Sequence, residues 1–466
     1  MQAQSADKNE LLGTYRIFPL IFRMAIPTVL AQLVNLLYGI IDRIYIGHIP
    51  DIGKDALAGI GVAGTVVMLV AAFANIIAGG AAPLAAIALG QRNKDKAEKI
   101  LGNGVFLITV FTVLCMGLSY SFMTPILTFA GASEVTLVYA REYLSVYLAG
   151  TLFVMLAYGL NTFISVQGKP VIAMISVIIG AILNTALDPL FIFAFDMGVR
   201  GAAIATVISQ AVSAAFVLIF LTGRHATLKI KARNIIPDVS VILKTVALGI
   251  SPFVMASTES LVGFVLNGQL SAFGDIYVSS LTVMQSAMQI ISIPLAGFTQ
   301  GVSPIISYNY GHRNNARVRE TIKYTMIIGV GFNFLGMLLM IAFPRTVASI
   351  FTKDAALIEI VGRYMPIFLT GMTIFGLQRV CQNTFVALGD AKVSLFIALL
   401  RKVILLIPLA LILPQFMAVT GVYAAEAIAD ASAAMICTLI FSFRLPAILK
   451  KNQAISQGLR HSGVTE

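Results

Sequence analysis

The chain has 466 residues, 58% of them hydrophobic and only 11% charged, with a formal net charge of +11. A soluble domain carries about 25% charged residues, so this composition excludes a water-soluble globular protein and demands apolar surface facing a lipid bilayer. The basic excess lies in short segments between apolar runs and forms no Lys/Arg tract, which excludes nucleic acid as a partner and predicts a multi-pass membrane protein.

The N-terminus is polar for ten residues and lacks a short apolar core with a small-residue cleavage site. The first apolar segment is therefore expected to remain as a membrane helix. A span needs about 20 apolar residues. Windows of that kind fall at 17–41, 57–90, 101–123, 137–165, 170–195, 199–222, 241–271, 276–309, 322–343, 357–388, 393–413 and 418–443, which predicts twelve helices.

Span 1 carries Gln32, Asn35 and Asp42 beyond Pro27, where a kink is expected. At about 100° per residue Asn35 and Asp42 lie within about 20° of each other and Gln32 about 60° away, giving one polar stripe. Arg43 beside Asp42 also admits a local ion pair or a solvated helix end. Span 2 lies in a charge-free run, 56–91, matched by a second at 276–311. Each reaches about 50 Å if helical, so bends are expected at Gly79–Gly80, Pro294 and Pro304.

Span 4 offers Asn161, and span 6 offers Thr206 with Gln210 one turn on. In span 5 Asp188 is the single ionisable residue from Val171 to Phe195, with Asn184 four positions before it on the same face. An intramembrane acid costs about 2.5–3.5 kcal/mol or more at mid-span, so it marks function before structure. Two acids with amide and hydroxyl oxygens can hold a proton or a small hard cation, since oxygen ligands suit the cation and desolvation favours a neutral carboxyl. Asn161 and Thr206 equally suit plain helix–helix hydrogen bonds.

In the second half, Glu259 lies in span 7 without a charged neighbour in its span. Met284, Gln285, Met288 and Gln289 form a stripe in span 8 that fits either a substrate cavity or ordinary packing. Span 11 carries Arg401 and Lys402, and span 12 carries Glu426 and Asp430 one turn apart, which admits a structural salt bridge or a transport role.

Lys and Arg are dense at 92–99, 224–244, 313–323 and 444–460, and sparse in the alternate connections. That alternation places both termini in the cytoplasm. The chain also repeats itself: "GAAPLAAIALGQRN" (80–93) and "GVSPIISYNYGHRN" (301–314) match 221 positions apart, as do Tyr143/Tyr364 and Gly150/Gly371. "NTFISVQG" (161–168) resembles "NTFVALG" (383–389), and "GVRGAA" (198–203) resembles "GVYAAE" (421–426). Six spans per repeat give two parallel lobes, the layout of an alternating-access carrier. The expected organisation is a cytoplasmic segment 1–16, a first lobe 17–222, a linker 223–240, a second lobe 241–443 and a cytoplasmic tail 444–466.

Cys115, Cys381 and Cys437 are far apart in apolar runs, and the four histidines are scattered, so neither a disulfide framework nor a metal cluster is readable. "GLNTFISVQGKP" has proline where a nucleotide loop needs Ser or Thr, and no H-E-x-x-H occurs. An ATP-driven pump, a metallohydrolase and a membrane enzyme are disfavoured, and no cofactor is expected.

Twelve spans in two repeats, with "IPTVLAQLVNLLYGIIDRIYIG" in span 1 and "NTALDP" in span 5, resemble the multidrug and toxic compound extrusion (MATE) family. "YGLNTFISVQGKP" and "LLRKVILLIPLALILP" are similar to its MepA-like bacterial branch, and the likeness covers residues 15–445. The resemblance implies an all-α MATE fold in a bacterial plasma (inner) membrane and a monomer. It also implies export of amphipathic, often cationic drugs in exchange for H⁺ or Na⁺. By that resemblance Asp42, Asn161, Asn184, Asp188 and Thr206 form the coupling site, and no metal is expected beyond Na⁺ at Asp42 and Asp188. Pro27 bends span 1, and Glu259 corresponds to an acid of span 7. The acid one branch carries in span 10 is missing, since 365–388 contains no Asp or Glu, which points coupling to the first lobe. A flippase for a lipid-linked precursor is the alternative of similar architecture.

Overall fold

The computed structural model describes residues 10–461, so the outermost parts of the expected terminal segments, 1–9 and 462–466, lie outside the described residues. Those residues form helices joined by short turns, with no strand among them. Lipid offers no hydrogen-bond partners to a backbone, and the helix satisfies its own. Eleven helices are long and apolar enough to cross a membrane, and one further pair, Glu134–Ala149 with Thr151–Val166, is bent by 59°. Counting that pair as span 4, all twelve predicted windows are helical.

The expected bends are met unevenly. Span 2 (Gly53–Gly90) passes through a π turn over Ile77–Ala81, which contains Gly79 and Gly80. Neither glycine has room for a side chain: a Cβ on Gly79 would lie 2.5 Å from the Pro252 ring, and one on Gly80 2.2 Å from the Thr245 carbonyl oxygen. Span 8, by contrast, is one unbroken helix, Asp275–Gly311, through both Pro294 and Pro304. Proline removes one donor there without ending the helix, as neighbouring helices allow within a membrane. Span 1 likewise runs unbroken from Ile17 to Gly47 through Pro27.

The repeat is physical. Arg92 and Arg313 both end their helices with positive φ, 56° and 58°. Asn93 and Asn314 then cap the next helices, accepting from Lys96 N–H at 2.9 Å and from Arg317 N–H at 3.2 Å. Gly150 lies at the bend of span 4, and Gly371 opens a 3₁₀ turn, Gly371–Ile374, in span 10. A Cβ on Gly150 would meet Val207 at 2.4 Å, and one on Gly371 would meet the Ala427 oxygen at 1.9 Å. Each glycine therefore lets its span lie against the sixth helix of its own repeat.

The chain divides into two compact units that cut through two helices. One holds Leu30–Ala256, and the other holds Glu10–Val29 with residues 257–461. Residues 17–29 of span 1 thus belong with span 8, where Gly297 and Gly301 press on Thr28, Val29, Ala25 and Met24. Residues 239–256 of span 7 belong with span 2, where Gly249 abuts the Ile76 oxygen. These two packings match at the repeat offset, Thr28 with Gly249 and Ile76 with Gly297.

In the first unit the connection after span 6 is fastened down. Gln167 Oε1 accepts from the Thr227 and Leu228 amides at 2.6 and 3.0 Å, and Asn103 Oδ1 accepts from Asp238 N–H at 2.8 Å. Lys231 pairs with the buried Glu98, and Lys99 with Asp238 at 2.5 Å. The core of the second unit gathers Met284, Tyr364, Phe368, Phe375 and Tyr423.

Candidate functional site

Four of the five predicted coupling residues converge in the first unit. Span 1 supplies Asp42, span 5 supplies Asn184 and Asp188, and span 6 supplies Thr206, with exposures of 8%, 2%, 0% and 6%. The i, i+4 spacing in span 5 does its part: Asn184 Nδ2 donates to Asp188 Oδ1 at 3.2 Å and to Thr206 Oγ1 at 3.4 Å. Asp42 lies close enough to act electrostatically on Asp188 across the cluster. Pro189 follows, and the helix widens into a π turn over Leu190–Ala194, a local loosening beside the acid.

Two residues absent from the sequence-based set belong here. The Tyr143 phenol lies beside the Thr206 side chain and that of Tyr38 beside Gln210, and both phenols lie near Asp42. Tyr38 was findable, being one turn before Asp42 on the same helical face. Tyr143 had no signal except its repeat match to Tyr364, because a tyrosine in an apolar helix reads as core.

Asn161 does not join the cluster. Its Nδ2 donates to the Ala173 carbonyl at 3.1 Å, near the start of span 5. Ala173 and Asn184 are about 16 Å apart along a helix axis. The tight turn at Gln167–Gly168 sets spans 4 and 5 antiparallel, so a residue six positions before the turn meets one just after it. Level with Asn184, span 4 instead presents the bend at Gly150, which packs on Val207 beside Thr206.

The cluster holds more acceptors than donors. Asp42 Oδ1, Asn184 Oδ1 and Asp188 Oδ2 are buried and without a hydrogen-bond partner. A buried orphan acceptor costs about 1–3 kcal/mol, more when charged. Converging carboxylate, amide and hydroxyl oxygens can recover that cost by taking a proton or a hard monovalent cation. Among the described residues no three His, Cys, Asp or Glu side chains gather as a metal centre would require.

The remaining predicted residues disperse. Gln32 and Asn35 are half-buried on the first-unit part of span 1. Met284 is fully enclosed in the second unit's core and Met288 packs against it, so packing accounts for that part of the span 8 stripe. Gln285 is half-buried and Gln289 exposed. Glu259, lacking a charged neighbour in its own span, meets one from span 11: Lys402 lies 3.3 Å away, and the Glu259 side chain is 56% exposed. Lys402 also reaches Glu426 at 3.7 Å, and Arg401 pairs with Asp430 at 2.5 Å and Glu426 at 3.6 Å. The salt bridge admitted between span 11 and span 12 is present.

The MatE family model matches this chain twice, over residues 27–190 and 251–412, one match per repeat and more than half of the chain together. The multidrug export protein MepA of Staphylococcus haemolyticus is 24% identical over 430 residues, 92% of this chain and 94% of that protein. MepA of Staphylococcus aureus is 25% identical over 425 residues, 91% and 93% of the two chains. A crystal structure of a MATE protein in a bent conformation superposes with a TM-score of 0.88 at 22% identity, covering 96% of this chain and 99% of that one. A family match in each repeat, over a chain of apolar spans, settles the assignment: the chain belongs to the MatE family of multi-pass membrane transporters, and is therefore a transporter and not an enzyme.

Proposed function

We propose that this protein is a secondary antiporter that exports amphipathic, often cationic drugs from a bacterial cell in exchange for inward H⁺ or Na⁺. The observation that carries the coupling is the set of buried oxygens without partners at Asp42, Asn184 and Asp188. Multidrug export is supported by the names of the relatives, which align over nearly their whole length. Alternating basic connections support cytoplasmic termini, and the doubled family match supports two lobes, 17–222 and 241–443, joined at 223–240. In this reading cation uptake at Asp42 and Asp188 reshapes span 1 near Pro27 and releases drug outward. Drug arriving from inside then displaces the cation. One charge moved through 100 mV supplies about 2.3 kcal/mol, enough to drive tens-fold accumulation.

The test is dye efflux from proteoliposomes with ΔpH and ΔNa⁺ imposed separately. Efflux driven by one gradient and lost in Asp188→Asn at equal incorporation is expected. Undiminished efflux by that variant would sink the assignment.

A further inference from the structure

The second lobe contains a counterpart of the proposed cation site, built with the opposite charge logic. Gly150 against Val207 and Gly371 against Ala427 are the same contact in the two repeats. Gly201 on Phe191 and Gly421 on Leu413 repeat the same spacing, so Glu426 corresponds to Thr206, not to the Ala203 that the sequence likeness of 198–203 to 421–426 suggests. Asp430 corresponds to Gln210 four positions on. Thr28 and Gly249 match in spans 1 and 7, which aligns Tyr38 with Glu259 ten residues later. Where the first lobe has Tyr38, Thr206 and Gln210, the second has three carboxylates.

Span 11 supplies what those carboxylates need. Spans 5 and 11 follow glycines of positive φ, Gly168 and Gly389, which are 221 positions apart. By that offset Arg401 and Lys402 stand where span 5 has Gly180 and Ala181. A Cβ on Gly180 would lie 2.3 Å from Ser213 Oγ, so the first lobe packs the Ser213 hydroxyl of span 6 where the second lobe places a cation. In the second, a π turn over Leu400–Leu406 carries both cations, with exposures of only 6% and 5%. Arg401 also stacks on Phe375 at 4.2 Å. The facing charges are Glu259 of span 7, Arg379 of span 10, and Glu426 and Asp430 of span 12. With Arg401 and Lys402 they sum to three positive and three negative. Glu426 Oε2 and Asp430 Oδ2 are still buried without hydrogen-bond partners, so the balance rests on charge.

We propose that Arg401 and Lys402 are tethered cations that fill, in the second lobe, the place a mobile coupling ion takes in the first. The second lobe is thereby neutralised by the chain itself, and ion dependence is confined to the first. Lys402 is the exchangeable member, bridging the partly exposed Glu259 and the buried Glu426. Without it, one carboxylate loses its counter-charge and the second lobe takes up Na⁺ or H⁺.

The proposal rests on the first-lobe reading, so the experiment separates the two. The thermal unfolding midpoint of the full chain in detergent is followed against NaCl, with choline chloride as ionic-strength control, and against pH. Wild type is expected to respond and Asp42→Asn/Asp188→Asn to be silent; a silent wild type overturns the first-lobe reading alone. Adding Lys402→Gln to that double variant should restore a response of about 2 °C or more, and Lys402→Arg should leave it silent. Adding Glu426→Gln to the Lys402→Gln protein should abolish the regained response. A response already present in the double variant overturns the proposal, as does its absence in a folded Lys402→Gln protein. Should Lys402→Gln fail to fold, Lys402→Gln/Glu426→Gln, which removes one charge of each sign, is expected to recover. A double variant that folds no better also overturns the proposal.

Discussion

Asp188 sits at 0% exposure with one oxygen bonded to Asn184 and the other to nothing. A residue kept for stability would not be left so, because burying an unpaired carboxylate works against folding. Asp188→Asn and Asp42→Asn should therefore leave the unfolding midpoint unchanged or raised while lowering efflux at least tenfold. A midpoint drop matching a loss of about 2 kcal/mol or more would mean the acids hold the fold together. Thr206→Ala is expected to weaken coupling less, since it removes one neutral ligand at 3.4 Å from Asn184. Sequence made Asn184, Asp188 and Thr206 legible because helical spacing and isolation in oil are local properties. Asn161 misled because its partner is decided by where a hairpin turns, a property of two helices together. Lys402 beside Glu259 was hidden for the same reason: the two are 143 positions apart.

At the scale of the element, hydropathy found all twelve spans but not their irregularities. The bend of span 4 and the 3₁₀ turn of span 10 fall at glycines packed on the sixth helix of their repeat, Gly150 on the Val207 side chain and Gly371 on the Ala427 backbone, and a glycine in an apolar run carries no mark of such contact. Gly371→Ala would set a Cβ 1.9 Å from the Ala427 oxygen, a backbone atom that cannot step aside. It should cost about 1–3 kcal/mol. Gly64→Ala, in the helix interior of span 2 with nothing within 4 Å of the added carbon, should be neutral or stabilise by up to about 1 kcal/mol. Unfolding midpoints in one detergent compare them, and equal effects would refute the contact. The linker offers a second case. Glu98 has no exposed side-chain surface and pairs with Lys231, whose side chain is 37% exposed. Lys231→Ala leaves Lys94 at 4.0 Å and should cost about 1–2 kcal/mol, discounted from a fully buried pair. Faster trypsin cleavage within 224–238 is the readout. The neighbouring Lys99 hydrogen bond holds the Asp238 carboxyl below its ordinary range. A lowered native value stabilises above the unfolded pKa and is lost only as pH falls through the native one. Linker protection should therefore be flat near neutrality and fail only in strong acid.

At the scale of the whole molecule, the internal repeat was visible as a constant offset, yet the lobe boundary drawn from it at 223–240 is not where contacts divide. They divide inside spans 1 and 7, two residues after Pro27 and four after Pro252. No hydropathy plot shows this, since both halves of each helix are equally apolar. Span 1 therefore carries Asp42 in one unit and residues 17–29 in the other, which makes it a covalent link between the proposed cation site and the second unit. Pro27 removes the amide that would bond the Arg23 carbonyl, and the Thr28 hydroxyl instead braces the turn through Ala25 O at 2.8 Å and Met24 O at 3.2 Å. Pro27→Ala restores a backbone bond and stiffens the helix between the two units. If span 1 bends to report occupancy, the variant should keep the Na⁺- or pH-dependent rise in unfolding midpoint, because Asp42 and Asp188 are untouched. Its efflux should nevertheless fall several-fold. Loss of both readouts would move Pro27 from transmission to the building of the site, and unchanged efflux would remove it from the mechanism.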